Sequence, residues 1–108
     1  MGCQVLHEEW VANAELCTDS GEQWILDYYL QSFEGEEGAQ LYGLRIDKRT
    51  HGGELQEREE TRAFTESHED ALIMAKAFAK GSVPPVTLLE MADEWQGESE
   101  LRVMVLNV

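Results

Sequence analysis

Apolar and polar residues alternate along the first half of the chain. Within residues 4–17, Leu6, Trp10, Ala12, Ala14 and Leu16 recur at every second position, with Glu8 the exception. Side chains two apart share one face of a pleated strand, so this stretch predicts a strand. The Thr18-Asp19-Ser20-Gly21 cluster that follows predicts a turn, because such residues satisfy or relax the backbone. Residues 23–33 carry the strongest strand pattern. Trp24, Leu26, Tyr28 and Leu30 lie on one face, and Ile25, Asp27, Tyr29, Gln31 and Phe33 lie on the other. The first face is the better core candidate. The second holds enough aromatic surface to call for a cover of its own.

An acidic, glycine-rich turn at 34–38 leads to residues 40–46, where Tyr42, Leu44 and Ile46 oppose Leu41, Gly43 and Arg45. A glycine at position 43, inside a strand, implies a bulge or the close approach of another backbone. These three segments read as an antiparallel meander. Residues 47–56, with Gly52-Gly53, read as a loop. Residues 57–66 combine charges that suit an exposed helix with Thr61, Phe64 and Thr65, which favour an edge strand, and are assigned to a fourth strand.

The period changes at Ser67. This serine can cap the first turn of a helix, with Asp70 reaching back in the manner of a capping box. Ala71, Met74, Ala75, Phe78 and Ala79 then recur at three- and four-residue spacing as one apolar stripe, and Gly81 ends the helix. Val83-Pro84-Pro85 imposes an extended link, and Pro85 can open a second helix whose buried stripe is Leu88, Leu89, Ala92 and Trp95. In the last segment, Leu101, Val103 and Val105 alternate with Arg102, Met104, Leu106 and Val108. It predicts a strand that pairs within its own sheet or on a neighbouring subunit's edge. The expected fold is α+β: an antiparallel four-stranded sheet, five-stranded if this segment joins it, packed by two C-terminal helices. Residues 1–96 form the domain and 97–108 the apolar tail.

Charge narrows the function. The 108 residues hold 22 Asp and Glu against 8 Lys and Arg, a net charge of −14. This length supports one domain, and a hydrophobic share of 43% supports one core. The excess of acids argues against direct contact with nucleic acid or anionic membranes, both of which require a basic face. Residues 1–44 contain nine acids and no Lys or Arg, and Arg45, Lys48 and Arg49 then form a small basic spot.

Targeting and cofactor signals are wanting. Glu8 and Glu9 interrupt any signal-peptide pattern, Leu6 stands where an acylation signal needs Ser or Thr, and no apolar stretch approaches the ~20 residues of a membrane span. A cytoplasmic protein is expected. Cys3 and Cys17 are too few for a disulfide framework and are expected as thiols. Cys3 and His7 on a strand would stand about 13 Å apart, too far for one metal ion. No nucleophile elbow or phosphate-cradling loop is present, so neither an enzyme nor a cofactor is expected.

The run YYL at 28–30, YGLRI at 42–46, FTESHEDAL at 64–72 and VPPVTLLEMADEW at 83–95 resembles a small uncharacterised domain family of Firmicutes. The resemblance covers residues 5–95. It implies a last helix introduced by Pro85-Val86-Thr87-Leu88 and a Tyr42-Gly43 pair in the central strand, and it carries no activity.

The reading that follows is a non-enzymatic protein-interaction or regulatory module that self-associates. Its interface would draw on Ile25, Tyr29 and Phe33 of the second sheet face and on Leu101, Val103 and Val105 of the tail. The partner is a second copy or another protein. The alternative is an acidic mimic of nucleic acid that inhibits a basic nucleic-acid-binding protein, since fixed carboxylates can reproduce the attraction of phosphates. Trp10, Trp24 and Trp95 are either core residues or interface anchors.

Overall fold

A computed structural model describes residues 5–97. Strands β1 (Val5–Cys17), β2 (Gln23–Glu34), β3 (Gln40–Arg49) and β4 (Leu55–Glu60) form one antiparallel sheet in the order β1-β2-β3-β4. Helices α1 (His68–Lys80) and α2 (Leu88–Gly97) follow, with a single 3-10 turn, Pro85–Thr87, before α2. The arrangement is the expected α+β one. Each hairpin is closed by local chemistry. The Thr18 amide donates to the Glu22 carbonyl at 2.9 Å while Gly21 takes φ +88°. The Thr50 amide donates to the Glu54 carbonyl at 2.9 Å while Gly53 takes φ +93°. Both glycines hold a left-handed conformation that a side chain would strain.

One face of the sheet is covered. Leu26 and Tyr28 of β2 and Leu44 and Ile46 of β3 pack with Met74, Ala75 and Phe78 of α1 and Leu88 and Ala92 of α2. The Tyr28 hydroxyl donates to the Val83 carbonyl at 2.8 Å, tying the central strand to the link between the helices. Burial pushes this phenol well above its ordinary pKa, because the anion would be left in an apolar interior. At the start of α1, Ser67 accepts the Asp70 amide at 3.1 Å, the cap expected of it. At its end, the Val83 amide donates to the Phe78 carbonyl at 3.0 Å around Ser82, which takes φ +52°. Ser82 therefore makes the left-handed turn that closes α1, and Gly81 beside it keeps φ −89°.

Several expectations need correction. The segment 47–56 is not all loop. β3 runs on to Arg49 and β4 begins at Leu55, because Asp47 and Lys48 find Arg58 and Glu57 directly across the ladder. Opposite charges at such positions attract, and this extends the pairing. The fourth strand ends at Glu60 rather than 66. Arg62 takes φ +67°, which breaks the extended run, and Thr65 then rejoins Tyr42 as an isolated bridge. In β1, an irregularity between Trp10 and Ala12 turns Trp10 away from the alanines: Trp10 pairs with Tyr29, and Ala12 pairs with Tyr28. One extra residue reverses which face every later side chain takes. In α2, Leu89 is 48% exposed, and Met91 packs on the core instead. The Trp95 side chain, Cys3 and the tail with Leu101, Val103 and Val105 lie outside the described residues.

Candidate interaction surface

The second face of the sheet carries no helix among the described residues, since α1 and α2 both pack on the Leu26–Tyr28 side. Cross-strand partners share a face, so the register sets out this surface row by row. One row reads Trp10, Tyr29, Arg45, Glu60; the next reads Asn13, Asp27, Asp47, Arg58; Glu15, Ile25 and Arg49 make a third. Spacing of two along β3 places Arg45, Asp47 and Arg49 side by side, and β4 adds Arg58.

Asp47 is the centre. It is fully buried on a face that no helix covers among the described residues, because guanidinium groups close over it. Arg58 binds it with two donors, Nε to Oδ1 at 2.8 Å and Nη2 to Oδ2 at 3.1 Å. Arg49 Nη2 and Arg45 Nη2 donate to Oδ2 at 3.1 and 3.2 Å. The bond to Asp47 is the main reason that the Arg58 pKa rises further above its usual value. A planar guanidinium suits such a carboxylate, and each charge here is compensated by a neighbour.

The network extends outward. Arg45 also meets the Glu8 carboxylate, and Gln31, itself 1% exposed, donates through Nε2 to Glu60 at 2.6 Å and to Glu8 at 3.4 Å. The Arg45 guanidinium lies 4.0 Å from the centre of the Tyr29 ring, a cation–π contact. Trp10 Nε1 donates to Asp27 Oδ1 at 3.1 Å, and this fixes the indole while 53% of the residue remains exposed.

The candidate interface residues are therefore not equivalent. Tyr29 is half-buried between Trp10 and Arg45, and Ile25 is half-buried between Glu15 and Arg49. Phe33, flanked across the ladder by Val5 and Leu41, is only 5% exposed and offers a partner little area. Trp10, Asp47 and Arg58 were not singled out as parts of one surface from the sequence. The Arg45-x-Asp47-x-Arg49 alternation was the available signal. The basic spot is thereby redistributed: Lys48 points to the helix side, with Nζ 4.4 Å from the Trp24 ring centre.

Other chemistry is sparse. His7, His51 and His68 are exposed, and His68 Nε2 lies 3.6 Å from Glu9. Among the described residues, no three His, Cys, Asp or Glu side chains gather so as to hold a metal ion. No helix among them is long and apolar enough to cross a membrane.

Residues 7–98 match a family described as one of unknown function, DUF6514. The chain belongs to this family. The DUF6514 match takes in β1 from His7 onward, the other three strands and both helices, so the clamped Asp47 and the Trp10–Tyr29 pair fall inside it. No curated protein and no solved structure matches the chain.

Proposed function

We propose that this DUF6514 domain is a non-enzymatic protein-interaction module that self-associates through its sheet. One observation carries this reading. Among the described residues the helical layer covers one face of the sheet, and the other face presents an exposed, hydrogen-bonded Trp10 on the edge strand β1, beside Tyr29 and two rows from Ile25. Tryptophan held rigidly at a surface loses little conformational freedom on binding, which is why such residues anchor interfaces. The polar groups of this face support the same reading. Four carboxylates (Glu8, Asp27, Asp47 and Glu60) and three guanidiniums are engaged with one another and with Trp10 and Gln31. Groups committed in this way stiffen a surface rather than act on a substrate.

Sedimentation velocity of the full chain between about 1 and 100 µM tests the proposal. A dimer or larger species that grows with concentration is the expected result. A strictly monomeric chain throughout would overturn it.

A further inference from the structure

We infer that the second copy adds to the outer edge of β1, antiparallel and about a two-fold axis that passes between Trp10 and Val11. This inference rests on the self-association proposed above and says where the copies meet. β1 is the longest strand at 13 residues and stands at the edge of the sheet, with no strand beyond it among the described residues. It contains no Pro, Lys or Arg. What blunts this edge is Glu8, Glu9, Glu15 and the two irregularities of the strand, so a partner strand must keep the acids apart. Trp10, one of the large exposed hydrophobic residues, lies near the middle of β1.

Charge selects the occupant and the register. The other edge, β4, carries Glu57, Glu59 and Glu60, so a β1–β4 contact would set them against Glu8, Glu9 and Glu15 and would also leave the assembly open-ended. A β1–β1 contact closes on itself. Its register must bring together residues on the same face. Glu8, Trp10, Asn13 and Glu15 lie on the uncovered face, while His7, Glu9, Ala12 and Ala14 lie on the helix face. With the axis between Trp10 and Val11, Glu8 meets Asn13, Glu9 meets Ala12 and His7 meets Ala14, three pairs matched in face and none acid against acid. At the axis Trp10 meets the partner's Val11, where the strand irregularity turns one side chain to each face. Slipping to an axis between Val11 and Ala12 sets Glu8 against Glu15 twice, and centring on Glu8 or Glu9 sets each against itself. The pairing also stops at Ala14, one residue before the Glu15 carbonyl, which the Ser82 hydroxyl approaches at 3.3 Å.

The test is sedimentation equilibrium of full-length variants at low salt, with circular dichroism to establish folding. Asn13 is exposed, so Asn13→Glu and Asn13→Lys leave the core alone. Asn13→Glu should weaken the dimer about fivefold or more, and Asn13→Lys should tighten it by a similar factor, since each acts at two symmetric pairs. Gln56→Glu and Gln56→Lys make the same charge changes on the opposite edge and should shift the dimer constant less than twofold. A dimer that Tyr29→Ser dissociates and Asn13 substitutions do not move would place the contact on the open face and overturn the edge assignment. A dimer dissociated by Val103→Asp but indifferent to Asn13 would assign the contact to the tail and overturn it equally. Gln56 effects as large as those at Asn13 would overturn it too. In each of these cases self-association itself stands, whereas a monomeric wild type sinks both.

Discussion

Asp27 of β2 and Asp47 of β3 stand directly opposite one another in the ladder. Like charges so placed repel, and the sheet tolerates them because arginine lies between. Arg49 reaches both, with Nη2 3.1 Å from Asp47 Oδ2 and Nε 3.7 Å from Asp27 Oδ2. Trp10 donates to the Asp27 carboxylate from β1, and Arg58 grips Asp47 from β4. This one pair therefore draws on all four strands.

Asp47→Asn keeps the shape and removes the charge. Arg45, Arg49 and Arg58 then lose their common partner, though their side chains keep 13%, 28% and 41% exposure and recover part of their solvation. The expected cost is about 1–3 kcal/mol, below that of breaking a wholly buried pair. Urea unfolding followed by circular dichroism measures it.

Gly43→Ala should be costly for a different reason. A Cβ at this position would overlap the Arg62 carbonyl, so the chain beyond β4 must move away. About 1–3 kcal/mol is expected. Hydrogen exchange should quicken at the Thr61 and Phe64 amides, which donate to the Leu44 and Tyr42 carbonyls.

Alkaline pH should destabilise the fold through Tyr28. Burial holds its folded pKa above the ordinary value of 10.0, so above that pH the unfolded phenol ionises while the folded one keeps its proton. The unfolded state then binds fewer protons, and stability falls as pH rises through this range, by up to about 1.4 kcal/mol per pH unit for this group. Below pH 10 the contribution is fully present. Tyr28→Phe should flatten the alkaline slope while losing about 1 kcal/mol at neutral pH with the bond to Val83. Thermal unfolding as a function of pH reads both effects.

Salt separates self-association from mimicry of nucleic acid. Two copies of a chain with net charge −14 repel, so raising the salt should tighten a homodimer. Binding to a basic partner would weaken steeply over the same range. Sedimentation at about 50 and 500 mM NaCl gives the sign.

Local pattern carried much of this molecule. Alternation at Leu26, Tyr28, Leu44 and Ile46 marked the covered face, the helical stripe from Ala71 to Ala79 marked its cover, and Ser67 marked the start of α1. Each of these depends on neighbours within a few residues, and the physics of a short segment is enough to set them. The orientation of Trp10, the early end of β4 and the burial of Asp47 depend instead on what lies across the sheet. Trp10 turned with a one-residue slip against Tyr29, and β4 gave way where Arg62 crosses Gly43. Asp47 became a buried anion only because register brought Arg58, 11 positions along the chain, into reach. Pairing between strands is settled by distant charges and a single inserted residue, and periodicity along one strand holds no record of either.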